Sequence, residues 1–477
     1  MDAIFENYRP LDGTIDEFVG PVNTVRPEAT RIVDRLNELG ADELDLRQKL
    51  IGNAFLEGGV TFSVYSDQLG AERIFPFDII PRVIGGRDWS VVERGLVQRV
   101  DALNAFLLDV YGERRIFREG LLPQSLIERC SGFIEQCQGV SPPSAVPINV
   151  AGIDLLRDEN GDFVVLEDNV RVPSGVSYVL ENRAMMKRML PKLFTQVPVE
   201  PVDTYPMKLK RALNEIAPVD GHCVVLTPGP YNSAYFEHSY LARRMGCPLV
   251  HGSDLFVHDN KVFLKTIGGP ERVATIYRRV DTSFIDPECF NPESLLGVRG
   301  LMRAYRDGNV AIANALGNGM ADDKATYPHV PAMIRFYLSE EPILGQVRTL
   351  VCSRDEDRKE VLASLEKMVV KAVDGAGGYG MLVGPSSTAA ERAEFAQLIR
   401  ERPHRYIAQP VVDFSTCPIW TEGKAAPRRV DLRPFVVTGQ SSWVLPGGLT
   451  RVALVPGSYV VNSSQGGGSK DTWVIRS

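Results

Sequence analysis

The spacing of apolar residues predicts a mainly helical first part of the chain that also contains strands. Between residues 89 and 111, and again over 25–40, apolar side chains return every three or four positions, as on one face of a helix. Between these helices, polar and apolar residues alternate over 60–65 and 73–77. This alternation predicts a hairpin with residues 67–70 as its turn.

A second hairpin is predicted over 153–157 and 162–166, joined by the turn sequence Asp-Glu-Asn-Gly. It would bring Asp154 beside Glu167, and Asn169, two positions further along, would point to the same face as Glu167. Two carboxylates and an amide oxygen suit Mg²⁺, which commonly takes its other ligands from water and phosphates. An exposed acidic hairpin would show the same pattern.

After a proline-rich stretch at 198–201, interpreted as a linker, strands and helices alternate as in an α/β layer. The predicted elements here are a strand at 223–227, a helix at 233–245, strands near 249 and at 272–277, a helix at 361–367, strands at 368–373 and 381–383, a helix at 389–400, and strands at 406–408 and 472–475.

Composition narrows the class of protein. The 477 residues are 44% apolar and 24% charged, which is typical of a soluble protein with several domains. Lys and Arg number 53 against 60 Asp and Glu, a net charge of −7, which argues against nucleic-acid binding but allows a local basic cleft. The seven scattered cysteines form no C-x-x-C pair and indicate reduced thiols. With no signal-like start and no long apolar run, we expect a cytoplasmic protein without membrane spans.

A lysine stands just before a glycine-rich loop: Lys371 ends an apolar run and is followed by Gly375, Gly377, Gly378 and Gly380. Backbone N–H groups of such a loop can surround a phosphate while the ammonium neutralises its charge. The spacing matches neither the Walker nor the Rossmann pattern. It favours a hairpin lid over phosphates, with a simple loose turn as the alternative.

Two further stretches carry polar groups near the end of the chain. The sequence Tyr-Ile-Ala-Gln-Pro-Val occupies 406–411, and the alternating run 429–437 places Asp431 and Arg433 on one face. An arginine in this position could bind a phosphoryl or carboxylate group through two hydrogen bonds, or could form a surface ion pair.

Together these motifs resemble the ATP-grasp superfamily, but in a different chain order. In ordinary ATP-grasp enzymes the E-x-N element follows the lysine, loop and hinge, whereas here it precedes them by about two hundred residues. The chain therefore resembles the circularly permuted ATP-grasp proteins, which include the synthetase domain of glutathionylspermidine synthetase. Within that group it is most similar to the bacterial type 2 family. The stretches that carry this closer resemblance are 59–62, 73–78, 231–238, 277–281, 322–325 and 445–453.

The resemblance implies a mixed α+β and α/β fold: a circularly permuted ATP-grasp with an additional α/β domain like the pre-ATP-grasp domain. The expected domains are a helical region with the metal-binding half over 1–200, the α/β domain over 201–330, and a nucleotide-binding lobe over 331–477.

It also implies ATP and Mg²⁺ as cofactors and assigns roles to residues. The implied roles are Mg²⁺ ligation by Asp154, Glu167 and Asn169, phosphate contacts by Lys324 and Lys371, a lid formed by Gly375, Gly377, Gly378 and Gly380, adenine contacts through the backbone of Gln409 and Val411, and stabilisation of the transferring phosphoryl group by Arg433 and Arg451.

One departure from the pattern concerns the reacting centre. The related synthetase has an arginine two residues before its first metal-binding aspartate, and here that position is Gly152. Arg171, Arg433 or Arg451 would have to supply this charge, or the geometry differs. The substrates glutathione and spermidine are therefore not carried over.

The activity implied is that of an ATP- and Mg²⁺-dependent carboxylate–amine ligase that works through an acyl phosphate. Its substrates would be a small-molecule acid and amine, such as an amino acid, peptide or polyamine-like pair. Two alternatives stay open: an ATP-binding partner subunit without ligase turnover, and a small-molecule kinase.

Overall fold

The computed structural model describes residues 4–20, 24–64, 71–375, 380–461 and 466–476. The helices are α1 Thr30–Glu57, α2 Gly86–Tyr111, α3 Arg115–Arg118, α4 Ser125–Arg129, α5 Val176–Met189, α6 Pro191–Gln196, α7 Tyr205–Glu215, α8 Tyr235–Met245, α9 Leu301–Arg306, α10 Gly319–Asp322, α11 Val330–Met333, α12 Asp355–Ala363 and α13 Ala389–Glu401. The strands are β1 Thr61–Val64, β2 Ala71–Ile74, β3 Phe77–Gly85, β4 Val150–Arg157, β5 Phe163–Asn169, β6 His222–Leu226, β7 Leu249–Val250, β8 Leu255–His258, β9 Lys261–Thr266, β10 Gly269–Arg278, β11 Ala311–Ala313, β12 Gly345–Gln346, β13 Leu350–Val351, β14 Met368–Ala372, β15 Leu382–Val383, β16 Tyr406–Pro410, β17 Thr416–Thr421, β18 Lys424–Arg433, β19 Phe435–Thr438, β20 Ser442–Val444, β21 Leu449–Val452 and β22 Gly468–Ile475.

A ten-stranded sheet, the central sheet, joins strands from both ends of the chain. Its main order is β12-β5-β4-β18-β21-β22-β3, with β17 paired to β18 and β19 paired to β4 and β20. Leu432 of β18 lies opposite Leu155 of β4, and Phe435 of β19 lies opposite Gly152. Seven of the eight residues of β4 are buried, so this strand needs partners on both edges and cover on both faces.

The long helices α1 and α2 contact this sheet through strand β3. Helix α2 matches the helix predicted over 89–111, because its apolar face is buried along its whole length. Helix α1 extends well past the predicted end at residue 40. Gly40 has a φ of +76° inside it, and the helix continues beyond this kink with Leu44, Ile51 and Phe55 buried. The glycine concealed this continuity in the sequence pattern.

A second sheet has the order β7-β6-β10-β9-β8, with β11 paired to β10. Strands β6, β7, β10 and β11 run parallel to one another, as predicted for an α/β layer, whereas β9 is antiparallel to both β10 and β8. The interpretation of 198–201 as a linker is wrong in one respect. Val199 forms a bridge with Ile475, and the N–H of Glu200 donates to the carbonyl of Val474 (2.8 Å), so this stretch is bonded to β22.

A third, four-stranded sheet has the order β13-β16-β14-β15 and a small core of its own. Its strands agree with the predictions at 368–373, 381–383 and 406–408. The helix predicted at 361–367 instead begins earlier, at Asp355, and ends at Ala363. Three acidic residues in its first turn favour this start because the N-terminal end of a helix is partially positive.

The hairpin predicted near residue 60 is present as the antiparallel pair of β1 and β2, while its predicted turn at 67–70 lies outside the described residues. Within the described ranges, no helix is both long and apolar enough to cross a bilayer. The domain limits at 200 and 330 stay a prediction.

Candidate active site

A cavity of about 610 Å³ lies between the central sheet and the four-stranded sheet, a size usual for small-molecule sites. The residues predicted from the sequence that line it are Asp154, Glu167, Asn169, Lys324, Lys371, Gly375, Gln409, Val411, Arg433 and Arg451. Arg171 and Gly380 do not line it. Gly377 and Gly378 lie outside the described residues.

The acidic side chains come from the antiparallel pair β4 and β5. Asp154 lies directly opposite Glu167 in the register, and both line the cavity together with Asn169. The register shifts by one residue immediately after Asp154, which is a bulge of the kind often found beside active sites. Asp168, between Glu167 and Asn169 on β5, is buried and forms an ion pair with Arg99 of α2 at 2.7 Å. The alternation along β5 therefore separates the buried Asp168 from Glu167 and Asn169, which face the cavity.

Asp154 is held by two arginines from the end of the chain. Arg433 donates from Nε to Oδ1 (2.5 Å) and from Nη2 to Oδ2 (2.8 Å), and Arg451 donates from Nη2 to Oδ2 (2.7 Å). Arg451 also donates from Nε to Asp431, an acid that is fully buried. Burial opposes ionisation of Asp154, but Arg433 and Arg451 outweigh it and hold the pKa of this carboxyl below its usual range.

Glu167 is paired with Lys324, whose Nζ lies 2.7 Å from Oε1. The same ammonium donates to the carbonyl of Gly375 (2.8 Å) at the start of the glycine-rich loop. Burial opposes ionisation of Glu167, yet Lys324 and Lys371 together lower its pKa. Lys324 therefore connects an acid on the central sheet with the loop predicted to cover phosphates.

Lys371 reaches the cavity from β14, where its Nζ donates to Oε1 of Gln409 (2.8 Å). Burial lowers the pKa of this lysine, since few groups replace its hydration. Gln409 in turn donates from Nε2 to the hydroxyl of Thr349 (3.0 Å). Its side chain is thus part of a buried network.

The slot between the two sheets has apolar walls, which suit a flat aromatic ring. Its apolar lining residues include Leu166, Val369, Met381, Val383 and Phe414. Of the two residues predicted to meet adenine through their backbone, Val411 already donates its N–H to the carbonyl of Lys367 (2.9 Å). The N–H of Val411 is therefore committed within the protein, and the backbone contacts of Gln409 and Val411 with adenine stay a prediction.

Arg171 lies away from the cavity lining. Its Nε donates to Asp322 (2.7 Å), and its backbone N–H donates to the other oxygen of the same carboxylate (3.0 Å). It lines a separate, small cavity of about 110 Å³ together with Asp281 and Asp322. Of the three arginines predicted to act at the reacting centre, the structure brings only Arg433 and Arg451 to Asp154.

Sequence reasoning assigned no role to a buried pair that holds the loop after Asn169, formed by Glu237 of α8 and Arg279, which follows β10. Glu237 accepts hydrogen bonds from the N–H of Gly175 (2.7 Å) and the N–H of Ser177 (3.0 Å). Arg279 donates to the carbonyl of Pro173 (2.9 Å). The signal in the sequence was an apolar strand that ends in two consecutive arginines, because buried arginines are rare unless they have partners.

The sequence matches a known family over most of its length: residues 81–453 match the circularly permuted ATP-grasp type 2 family. An uncharacterised protein of Synechocystis sp. is 51% identical over 475 residues, which cover 99% of this chain and 98% of that protein. An uncharacterised protein of Mycobacterium tuberculosis is also 51% identical, over 99% of this chain and 87% of its own length.

A Frankia alni protein with the provisional name glutamate–cysteine ligase 2-3 is 43% identical over 99% of this chain, which corresponds to 55% of that longer protein. The solved structure of a glutathione synthetase-like effector from Globodera pallida matches with a TM-score of 0.58 at 11% identity, covering 91% of this chain and 97% of the other. At this identity the likeness concerns the fold alone. The chain belongs to the circularly permuted ATP-grasp type 2 family, and the fold predicted from its sequence is confirmed.

Proposed function

We propose that the protein is an ATP- and Mg²⁺-dependent carboxylate–amine ligase that forms ADP. The observation that carries this proposal is a single cavity in which an apolar slot leads into a cluster of ionic side chains. Such a cavity suits a nucleotide, with the base in the slot and the phosphates among the charges. The ionic side chains of the cluster are Lys324, Lys371, Arg433, Arg451, Asp154, Glu167 and Asp431.

The residues predicted to hold Mg²⁺ fit that ion chemically. Asp154 and Glu167 supply carboxylate oxygens from adjacent strands, and Asn169 beside them offers an amide oxygen. Among the residues that the structure describes, its buried Nδ2 has no hydrogen-bond partner that would fix the orientation of this amide. Within the described residues, no group of three or more His, Cys, Asp or Glu side chains is arranged to hold a metal. The remaining ligands would then be water and phosphate oxygens, as is usual for Mg²⁺. Bound there, Mg²⁺ would neutralise charge on the phosphates.

The reaction would proceed in two transfers. A carboxylate oxygen of the acid substrate bonds to the γ-phosphorus of ATP while the bond to the bridging oxygen breaks, which releases ADP and leaves an acyl phosphate. The amine nitrogen then bonds to the carbonyl carbon, phosphate leaves with the C–O bond electrons, and the amine proton passes to solvent.

This chemistry needs positioning and charge neutralisation rather than a protein nucleophile. Lys371 and Lys324 would contact the phosphates from the four-stranded side. Arg433 and Arg451 would stabilise the charge on the phosphoryl group in transit, because guanidinium groups bind phosphate oxygens in pairs. No cysteine lies among the described residues that line the cavity.

The acid substrate would occupy the end of the cavity formed by the loop after Asn169 and by Tyr178 and Glu237. Arg433 donates to the carbonyl of Ser174 (3.4 Å) in this loop. Its guanidinium would therefore lie between the bound phosphates and the acid substrate. The provisional name of the Frankia alni relative favours amino acids or small peptides as substrates. That relative is about twice as long, so its name concerns more than this chain.

The test is ADP release by the purified protein with Mg²⁺ and ATP, screened over amino acids, dipeptides and polyamines. We expect at least one acid and amine pair to stimulate ADP release, and the product to be an amide by mass spectrometry. Glu167→Ala should abolish the stimulation, whereas Glu360→Ala, which removes an exposed glutamate outside the cavity, should not. A phosphoester product would establish a kinase instead, and ATP binding without ADP release over the panel would establish a nucleotide-binding subunit.

A further inference from the structure

The carboxylate of Asp154 is almost saturated by the protein itself. Its two oxygens accept three hydrogen bonds from the guanidinium groups of Arg433 and Arg451, and a carboxylate offers about four acceptor sites. Only 3% of Asp154 is exposed. A cation that is to bind this acid must therefore compete with two arginines that are already in place.

Gly152 provides the space that Arg433 occupies. The two residues lie on neighbouring strands, since β18, which ends at Arg433, pairs with β4 through Leu432 and Leu155. A Cβ atom at Gly152 would lie 3.2 Å from Cδ of Arg433 and 3.1 Å from Cβ of Pro173, closer than ordinary contacts. The aliphatic stem of the Arg433 side chain thus packs over β4 at Gly152, the one position of this strand without a side chain. Gly152 lies two residues before Asp154 and therefore on the same face of β4.

We propose that Gly152 is a positioning residue: it admits Arg433 to Asp154, so that Arg433 and Arg451 occupy this acid until a polyphosphate draws them away and a divalent cation binds together with that polyphosphate. The proposal rests on the proposed function for the presence of a nucleotide site.

Charge complementarity supports this order of events. The ionic side chains at this end of the cavity are four basic and three acidic ones, so the acids are matched before any ligand arrives. A divalent cation alone would have to separate Asp154 from its guanidinium groups and leave Arg433 without a carboxylate partner, which is costly in a buried site. A triphosphate offers the same guanidinium groups new acceptor oxygens. The metal should therefore bind well only as its nucleotide complex.

The experiment measures binding of Mn²⁺, a paramagnetic substitute for Mg²⁺, to the full-length protein by electron paramagnetic resonance. Without nucleotide, we expect weak binding to the wild type and at least about tenfold tighter binding to Arg433→Ala, because one competing cation is gone. With the non-hydrolysable analogue adenylyl imidodiphosphate the order should reverse, since the variant lacks a phosphate contact. Asp154→Asn in the Arg433→Ala background should remove the gain and so locate the ion.

Gly152→Ala tests the role of the glycine in the same assay. The added methyl group should displace the stem of Arg433 and tighten Mn²⁺ binding without nucleotide by about two- to fivefold. In the Arg433→Ala background the same substitution should have no effect, because there is no stem to displace. The matched control Arg348→Ala removes an exposed arginine paired with Glu360 and should leave Mn²⁺ binding unchanged.

Two results would overturn the proposal: tight Mn²⁺ binding at Asp154 in the wild type without nucleotide, or no gain of affinity in Arg433→Ala. If Arg433→Ala does not fold, Gly152→Ala serves instead: no gain of Mn²⁺ affinity in that variant would also overturn the proposal. The proposed ligase function is decided separately by ADP release. A protein with the expected Mn²⁺ behaviour but no amide product would keep this inference and lose that function.

Discussion

The two walls of the cavity hold their charges in different ways. On the central-sheet wall, Asp154, Asp431 and Arg451 are each less than a tenth exposed and share several ionic hydrogen bonds. On the opposite wall, Lys371 is only partly buried and contacts one neutral side chain, that of Gln409. The first set is already paired within the packed sheet. The second set is available to a ligand.

Arg451→Ala should have the largest effect on stability, because it leaves Asp431 and Asp154 buried with fewer counter-charges. Loss of one partner from a buried ion pair costs about 3–5 kcal/mol of the free energy of unfolding. Urea denaturation followed by circular dichroism would measure it, with Arg348→Ala as the exposed control. A loss below about 1 kcal/mol would show that the central-sheet wall is no more important for folding than a surface ion pair.

Glu167→Gln should have an intermediate effect that depends on pH, because Glu167 lies on the central sheet but pairs with Lys324 of the other wall. Its folded pKa lies below the usual 4.5, so the charged form contributes stability above that pH and the contribution is lost as pH falls through the folded pKa. We expect the wild type to be more stable than the variant by about 1 kcal/mol at pH 7.

Urea denaturation of both proteins between pH 7 and pH 3 would check this, and the two stability curves should converge below pH 4.5. A constant difference over the whole range would mean that the stabilisation by Glu167 does not come from its charge.

Lys371→Met should have the smallest effect on stability, within about 1 kcal/mol, since burial already disfavours the ammonium and the change removes only its hydrogen bond to Gln409 and its attraction to Glu167. The same change should weaken ATP binding by about tenfold or more, as measured by calorimetry, because a phosphate contact disappears. A variant with full ATP affinity but strongly reduced stability would show that Lys371 stabilises the fold rather than binding the ligand.

Local elements were predictable because they depend on short-range periodicity. The pairing of β4 with β5 followed from alternation around one turn, and it placed Asp154 opposite Glu167. The glycine-rich hairpin after Lys371 was also predictable, although the glycines at 377 and 378 lie outside the described residues. The kinked continuation of α1 was not, because Gly40 reads as a helix end while tertiary packing buries the helix beyond it.

Contacts between distant parts of the chain were not predictable from spacing. Arg171, close to the acids in sequence, is bound by Asp322, while Arg433 and Arg451, nearly three hundred residues away from Asp154, hold that acid. The proximity of a charge along the chain says little, because a long side chain pairs with whichever counter-charge the packed strands bring within reach.

The sequence by itself determined the family and the fold class, because the motifs that carry them are spread along the whole chain. It also determined the two acids that face each other and the lysine before its loop, since these depend on neighbours within a hairpin. The tertiary structure alone decided which cations those acids receive and that the side chain of Arg433 packs over Gly152. The reason is that β4 is flanked by β18 and β19 from the far end of the chain, and the order of strands in a sheet is set by the burial of whole faces rather than by any local pattern.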